Sequence, residues 1–187
     1  DGRKPHQVLR AGLARTFQNI RLFAEMTALE NVLVGRHART TSGVVGAVLR
    51  LPATRREEAD SRARAHALLE RVGIAQHAHR LAKNLPYGDQ RRLEIARALA
   101  TEPSLLALDE PAAGMNKAER AALRGLLLQL QAGGLTLLLI EHDVKLVMGL
   151  CTRLAVLDYG VKIAEGTPDA VSRDPKVISA YLGDETA

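Results

Sequence analysis

Two short, almost continuous runs of apolar residues constrain the fold of this chain more than any other feature. Residues 104–109 (SLLALD) and 135–141 (LTLLLIE) each have the length of one strand, and each ends in an acidic residue. Between them, residues 117–131 carry a Leu-rich pattern of helical period that stops at Gly133-Gly134. Such runs are typical of buried strands in parallel sheets. A strand, a helix and a second strand in this order predict an α/β fold with a parallel sheet.

Further strands and helices are predicted before and after this strand–helix–strand segment. A short strand that leads into a loop is predicted over residues 12–19. After the second apolar run, a helix (143–150), a hairpin (154–158 and 161–165, with Tyr159-Gly160 in the turn) and a last helix (174–182) are predicted.

The middle third of the chain is predicted to be an all-helical insertion. Thr27 and Glu30 have the spacing of a capping box, so a helix is expected over residues 28–37. Residues 41–51 predict a short helix or loop closed by Pro52. Two amphipathic helices follow, over residues 55–72 and 89–101. We therefore expect three parts: 1–18, the end of an N-terminal core; 19–100, a helical subdomain; and 101–187, the C-terminal part of the core.

Composition excludes several classes of protein. The formal charge is +5, but basic residues alternate with acids and aromatic residues make up only 3% of the chain, so no nucleic-acid partner is expected. Cys151 is the only cysteine, which favours a reducing compartment. The longest apolar runs are far shorter than the ~18 residues that a membrane-spanning helix requires.

Acidic and polar side chains follow the predicted strands. Asp109 and Glu110 end the first apolar run, at the strand edge where open α/β sheets bind ligands. Asp109 suits Mg²⁺ and Glu110 suits a general base. His142 follows the second apolar run and could reach a phosphate from the same edge. Gln18 follows the short first strand, and its amide could bind a cation.

A further candidate site lies at the start of a helix. In residues 85–100 (LPYGDQRRLEIARALA) a Gly precedes a long helix whose first N–H groups are unpaired, which is an arrangement that binds anions. By contrast, His77 and His79 lack companions at metal-ligand spacing, so no metal site is expected there.

The order Gln18, helical insertion, LPYGDQ, LALDEP and EHD resembles the ATP-binding cassette (ABC) ATPases over nearly the whole chain. RTFQNIRLFAEMTALENVLVG, RRLEIARALAT, LDEPAAGMN and the ending VISAYLG look like the ATP-binding subunits of bacterial branched-chain amino acid importers. The resemblance implies an ABC-type P-loop NTPase core with an inserted helical subdomain, and it implies ATP and Mg²⁺ as ligands.

The resemblance also implies a role for each motif. Gln18 (Q-loop) and Asp109 (Walker B) would contact Mg²⁺, Glu110 would be the general base, and His142 (H-loop) would contact the γ-phosphate. Across the dimer, ATP bound by the opposite subunit would meet the signature segment and the D-loop. The signature segment comprises Leu85, Pro86, Tyr87, Gly88, Asp89 and Gln90, and the D-loop comprises Ala113, Gly114, Met115 and Asn116.

Two departures from the family pattern change the expectations. The signature motif, usually LSGGQ, has Pro86 in place of a hydroxyl residue, and Asp89 brings a carboxylate that must point away from a bound phosphate. No G-x-x-x-x-G-K-[ST] segment occurs in the 187 residues. We therefore expect a core incomplete at its N-terminus, and an isolated chain that hydrolyses no ATP.

The main hypothesis is thus the C-terminal portion of an ABC ATPase that energises uptake of Leu, Ile or Val. Its expected partners are permease subunits, a second ATPase subunit (identical or related) and, indirectly, an extracytoplasmic binding protein. It would lie on the cytoplasmic face of the bacterial inner membrane. The alternative is a non-catalytic module that docks on a permease or supplies the signature segment in trans. A third possibility is a soluble ABC ATPase of DNA repair or translation, although the chain lacks a coiled-coil insertion or tandem cassette.

Overall fold

The computed structural model describes residues 2–39 and 52–182 of the chain. The predicted helix or loop at 41–51 lies outside the described residues. The chain divides into two compact units, residues 1–140 and 141–187. The helices and strands of the first unit are α1 (Pro5–Arg10), β1 (Leu13–Arg15), α2 (Ala28–Arg36), α3 (Pro52–Arg71), α4 (Tyr87–Leu99), β2 (Leu105–Asp109), α5 (Lys117–Ala132) and β3 (Thr136–Ile140).

A parallel three-stranded sheet of order β1-β2-β3 confirms the predicted α/β arrangement. In this sheet Arg15 is opposite Ala107, and Asp109 is opposite Ile140. The carboxyl ends of all three strands therefore lie along one edge. The middle strand β2 is buried as expected, and Leu106 and Leu108 have no exposed surface.

The expectation that β3 is also buried is wrong. Its residues alternate between exposed and half-buried, and Leu138 and Ile140 are 53% and 50% exposed. The physical reason is that residues 136, 138 and 140 share one face of the strand, and the described part of the chain leaves that face largely uncovered. The run LTLLLIE therefore indicated a strand correctly but not the burial of both its faces.

The helices predicted for the middle third of the chain are present in the structure, although two of them begin at an earlier residue than expected. The Thr27–Glu30 capping box is confirmed: Thr27 Oγ1 accepts from the Glu30 N–H at 3.2 Å, and Glu30 accepts from the Thr27 N–H. The hydrogen bonds that the Glu30 carboxylate accepts from the Thr27 N–H and the Thr27 hydroxyl lower the pKa of Glu30. The helix expected over residues 55–72 is α3, Pro52–Arg71, and a proline in the first helical turn is favourable. The helix expected from residue 89 begins at Tyr87.

A cluster of arginines ties these helices to the chain just before β2. Arg36 in α2 and Arg64 in α3 both donate to Glu102 Oε1, at 2.5 and 3.0 Å. Arg39 donates to the Thr101 carbonyl at 2.7 Å. The hydrogen bond from Arg36, assisted by the nearby positive charges, holds the pKa of Glu102 below its usual value. The cluster therefore joins the helical layer to the turn that enters the sheet.

The close approach of α2 to α4 depends on Gly35. A Cβ atom at Gly35 would lie 2.3 Å from the Arg97 carbonyl oxygen and 2.9 Å from Ala100 Cβ. We expect Gly35→Ala to lower the free energy of unfolding by about 1–3 kcal/mol, because a backbone carbonyl cannot move without shifting a helix. Urea unfolding followed by circular dichroism measures this change.

The matched control is Gly125→Ala, in the interior of α5. A Cβ atom there meets no other atom within 4 Å. This variant is expected to raise the free energy of unfolding by about 0.5–1 kcal/mol, since alanine is the better helix former. Equal effects of the two substitutions would contradict the close packing of α2 against α4.

The second unit contains α6 (Val144–Met148), β4 (Leu154–Asp158), β5 (Val161–Gly166), α7 (Pro168–Ser172) and α8 (Pro175–Val177). The predicted hairpin is confirmed: β4 and β5 pair antiparallel, with Tyr159 and Gly160 at positive φ in the turn. The last predicted helix differs, because α8 passes into a π-helical turn, Ile178–Leu182. There Tyr181 donates its hydroxyl to the Leu157 carbonyl at 2.6 Å.

Residues 2–39 and 52–182 include no helix whose length and hydropathy would let it span a lipid bilayer.

Candidate functional site

Two adjacent carboxylates lie where β2 leaves the sheet. Asp109 is the last residue of the strand, and Glu110 follows it with a φ of 43°, in the left-handed region. The Glu110 N–H donates to the Ile140 carbonyl at 2.9 Å, which extends the sheet pairing by one residue. A non-glycine residue in this conformation is strained, and such strain is common at functional sites. The backbone thus turns sharply at the carboxylate predicted to act as a base.

The structure brings Gln18 into direct contact with Glu110. Gln18 Nε2 donates to Glu110 Oε2 at 2.8 Å, although 92 residues separate them in the sequence. Because β1 and β2 are parallel neighbours, the segment after β1 reaches the same edge as the end of β2. Two of the residues singled out from the sequence therefore form one polar group at the edge of the sheet.

Asp109 has a different partner. Arg15, the last residue of β1, donates from Nη2 to Asp109 Oδ2 at 2.8 Å. The Arg15 side chain is 52% exposed, so the ion pair is screened by water. Asp109 has a charged side-chain partner, whereas Glu110 receives a hydrogen bond from a neutral amide. The two neighbouring carboxylates therefore have different electrostatic surroundings.

The signature segment forms the start of α4. Pro86 occupies the N-cap position and Tyr87 is the first helical residue, with 44% of its surface exposed. Leu85 is buried, and its carbonyl accepts from Gln90 Nε2 at 2.9 Å. The resemblance assigns Gln90 to ATP binding. In the structure, its side chain stabilises the turn that precedes α4.

The carboxylate of Asp89 lies against an imidazole. Asp89 Oδ2 is 3.5 Å from Nε2 of His77, and both side chains are 20% exposed. His77 ends a short 3₁₀ turn (Ala75–His77) packed beside the start of α4. A histidine that can carry positive charge reduces the repulsion between Asp89 and an anion at this helix start.

The D-loop lies next to the signature segment in the same chain. A Cβ atom on Gly114, whose φ is 73°, would be 3.2 Å from Cε1 of Tyr87. Asn116 caps α5: its Oδ1 accepts from the Glu119 N–H at 3.0 Å, and Glu119 accepts from the Asn116 N–H at 2.9 Å. Glu119 Oε1 would in turn lie 2.8 Å from a Cβ atom on Gly88. Gly114 and Gly88 therefore allow the two segments to pack closely.

His142 belongs to the second unit. Its backbone N–H donates to the Glu141 carboxylate at 3.2 Å, and its side chain is 72% exposed. The next residue, Asp143, caps α6 by accepting from the Leu146 N–H at 3.1 Å, as its position in the sequence predicts. The group formed at the edge of the first unit thus consists of Gln18, Asp109 and Glu110.

The oxygen atoms of this group fit Mg²⁺ in kind. Carboxylate and amide oxygens are the hard ligands that Mg²⁺ takes from proteins, usually one or two of them beside water and phosphate oxygens. Within residues 2–39 and 52–182, no group of three or more His, Cys, Asp or Glu side chains is arranged to hold a metal ion. Gln18 and Asp109 therefore match a metal held jointly with phosphate rather than a site built from protein ligands alone.

Comparison with known proteins decides the family. The ABC transporter family model matches residues 1–113 of this chain. The chain belongs to the ABC transporter family. A second family model, described as branched-chain amino acid ATP-binding cassette transporter, matches residues 161–187. Membership of this family implies nucleotide binding and, for the parent protein, ATP hydrolysis coupled to transport.

Similar proteins cover almost the whole of this ABC chain. The high-affinity branched-chain amino acid transport ATP-binding protein LivG of Salmonella typhimurium is 48% identical over 98% of the chain, which spans 72% of that protein. The protein with the same name from Escherichia coli gives the same identity and coverage. BraF of Pseudomonas aeruginosa is 46% identical over 96% of the chain and 71% of its own length.

Solved structures show the same fold. The ADP conformation of an ATP-binding cassette of an ABC transporter has a TM-score of 0.77 at 30% identity, covering 97% of this chain and 72% of that one. A nucleotide-free ATP-binding cassette from an ABC transporter has the same TM-score at 32% identity. That match covers 96% of this chain and 72% of the other. The fold is therefore that of the ABC ATPases, a P-loop NTPase-like α/β core. In ABC importers, such subunits work with membrane permease subunits.

Several residues that organise this ABC site were not predicted for it from the sequence. Arg15 pairs with Asp109. His77, considered in the sequence only as a metal ligand, lies against Asp89. A buried pair, Arg91 and Glu94, contacts the segment that carries Gln18. A signal for the last pair was present, because position 91 shares with 88, 95 and 99 the spacing of the buried face of α4. A charged pair on such a face indicates a specific partner.

Proposed function

We propose that this chain is the C-terminal portion of the ATP-hydrolysing subunit of an ABC importer that energises branched-chain amino acid uptake. The observation that carries the proposal is the 2.8 Å hydrogen bond between Gln18 and Glu110, which assembles distant parts of the chain at one sheet edge. Support for the substrate class comes from the names of relatives that are 46–48% identical. The match of the second family model at residues 161–187 supports the same class.

Glu110 is the general base in this mechanism. Its carboxylate takes a proton from a water molecule as the water oxygen attacks the γ-phosphate and ADP leaves. The hydrogen bond from Gln18 orients one carboxylate oxygen, and the left-handed backbone at Glu110 directs the side chain away from the strand. His142 contacts the γ-phosphate, where an imidazole N–H stabilises developing negative charge.

Gln18 and Asp109 hold Mg²⁺ in this proposal. When bound, the ion neutralises negative charge on the phosphates. Arg15 remains the charged neighbour of Asp109 and orients that carboxylate through their 2.8 Å ion pair. Asp109 therefore serves as a ligand, and the base function is left to Glu110.

The signature segment binds ATP that is held by a second ATPase subunit. Its contribution comes from the start of α4, where Tyr87 and Gly88 present backbone N–H groups and the helix dipole favours an anion. Leu85 and Gln90 fix the turn, Pro86 caps it, and His77 draws the Asp89 carboxylate aside. In the D-loop, Gly114 and Asn116 approach the same nucleotide across the subunit boundary.

The remaining partners follow from the importer function. Permease subunits dock on the helical subdomain, and an extracytoplasmic binding protein delivers Leu, Ile or Val to them. The chain then acts at the cytoplasmic face of the bacterial inner membrane. We further propose that the 187 residues alone hydrolyse no ATP, because they contain no G-x-x-x-x-G-K-[ST] segment to cradle the phosphates.

The test measures hydrolysis and uptake together. The natural gene product is assembled with its permease and sister ATPase subunits in lipid vesicles. We expect the leucine-loaded binding protein to stimulate ATP hydrolysis and to cause leucine to accumulate, whereas the same binding protein without amino acid gives only basal hydrolysis. Hydrolysis that does not respond to Leu, Ile or Val would overturn the proposed substrate class. Measurable turnover by the isolated 187-residue chain would overturn the requirement for the missing motif.

A further inference from the structure

Two oppositely charged side chains of α4, the helix that starts in the signature segment, are almost completely buried in the protein. Arg91 has no exposed side-chain surface and Glu94 only 2%, and their Nη1 and Oε2 atoms are 2.8 Å apart. Moving both charges out of water costs several kcal/mol per ion, so a buried ion pair seldom serves stability alone. The remaining contacts of the pair therefore indicate its purpose.

Arg91 binds the backbone of the segment that carries Gln18. Its Nη1 donates to the Phe17 carbonyl at 2.7 Å, and its Nη2 donates to the Gln18 carbonyl at 2.6 Å. The last sheet bond of this segment is that of the Thr16 N–H to the Ala107 carbonyl, so the next two carbonyls lie beyond the sheet. Part-buried carbonyls need donors, and Arg91 supplies both.

Glu94 completes the attachment at the other end of the segment. Its Oε2 pairs with Arg91, and its Oε1 accepts from the Arg21 N–H at 3.4 Å. We call Arg91 and Glu94 the α4 clamp. The clamp contacts the backbone of residues 17–21 at both ends, and Gln18 lies within that segment.

We propose that Arg91 is a positioning residue that holds the Gln18 amide against Glu110. The carbonyl of Gln18 is fixed by Arg91, and its side-chain amide donates to Glu110. Since Arg91 lies one helical turn after Tyr87, the first residue of α4, the clamp also links the start of α4 to the hydrolytic edge of the sheet. This role rests on the ATPase function proposed above.

An arginine is required at this position for a geometric reason. Its planar guanidinium donates to two successive carbonyls and a carboxylate at the same time, while the ammonium of lysine is a single point charge. Arg91→Lys therefore keeps the charge and most of the volume but loses the paired contact with the two carbonyls.

The first measurement is steady-state hydrolysis by the natural gene product assembled with its permease. We expect Arg91→Lys to lower kcat roughly tenfold and to change KM for ATP less than twofold, because misplacement of a group that aids catalysis affects turnover more than binding. The control is Arg92→Lys, one residue along the same helix and half-buried, which is expected to leave both constants unchanged.

The second measurement asks whether Arg91 acts through Gln18. If it does, Arg91→Lys lowers kcat in the wild-type background but causes no further loss in a Gln18→Ala background. Amide hydrogen exchange without nucleotide provides a readout besides activity. Residues 17–21 are expected to exchange at least tenfold faster in Arg91→Lys and at the wild-type rate in Arg92→Lys.

The outcomes separate this inference from the proposed function. Faster exchange together with non-additive kcat losses supports positioning by Arg91, whereas unchanged exchange or additive losses overturn it. If Gln18→Ala alone leaves hydrolysis unchanged, the proposed role of Gln18 is wrong, and hydrogen exchange still decides whether Arg91 orders the segment. Should Arg91→Lys fail to fold, the double variant Arg91→Met with Glu94→Leu is measured instead, and wild-type exchange rates over residues 17–21 in that variant would overturn the inference.

Discussion

Replacing Glu110 with Gln is expected to lower kcat for ATP hydrolysis by about 10²–10⁴-fold while KM for ATP changes little. The substitution removes the basic carboxylate but keeps the size of the side chain. An amide oxygen at this position can still accept the hydrogen bond that Gln18 Nε2 now donates to Glu110. The strained backbone, with φ of 43°, is retained as well. Steady-state hydrolysis by the natural gene product, assembled in vesicles with its permease, measures the effect.

The control for Glu110→Gln is the same change at Glu30. That carboxylate belongs to the capping box of α2, where glutamine is an equally good partner, so wild-type hydrolysis is expected. Hydrolysis within threefold of wild type in Glu110→Gln would contradict the assignment of the base. Asp109, which is ion-paired with Arg15, would then be the remaining carboxylate of the group.

Local signals in the sequence predicted most of the elements of the first unit. The run LLALD indicated β2 because a strand in the middle of a parallel sheet is apolar on both faces. Thr27 marked the start of α2, since it supplies a side-chain acceptor for a free N–H group of the first turn, and the Leu-rich pattern before Gly133-Gly134 marked α5. Such signals depend only on residues that are close in sequence.

Features that depend on neighbours distant in sequence were not predictable in this way. LTLLLIE gave no indication that β3 would be an end strand with an exposed face, because strand order is set by contacts outside the run. The helix predicted from residue 89 begins two residues earlier, since Pro86 takes the N-cap position without a side-chain acceptor of its own. The fixed φ of proline suits the start of a helix, whereas helix starts were predicted from polar capping residues.

The candidate site follows the same division. Asp109 and Glu110 could be assigned to the ligand-binding edge because they follow a predicted parallel strand, whereas Gln18 was placed only after the first strand. The partners of these residues could not be predicted from the sequence. Arg15 contacts Asp109 although 94 positions separate them, and Arg91 contacts the Gln18 carbonyl at a separation of 73 positions. Sequence patterns identify which residues carry the chemistry, whereas three-dimensional contacts identify which residues hold them.

The largest expected effect on stability is that of Glu94→Ala. It leaves the Arg91 guanidinium buried without its carboxylate, and breaking a buried pair in this way costs about 3–5 kcal/mol of unfolding free energy. Urea unfolding is measured by circular dichroism, since the chain contains no Trp as a fluorescent probe. The matched control is Glu25→Ala, which breaks the exposed pair with Lys83 and is expected to cost about 0–1 kcal/mol.

A double replacement separates the cost of an unpaired charge from the loss of packing. In Arg91→Met with Glu94→Leu no charge remains in the interior, so most of the electrostatic penalty disappears. The carbonyls of Phe17 and Gln18 still lose their donor, at about 1–3 kcal/mol each. The double variant is therefore expected to be more stable than Glu94→Ala but less stable than wild type. A double variant as stable as wild type would mean that the α4 clamp contributes nothing to holding residues 17–21, and that Gln18 keeps its position without it.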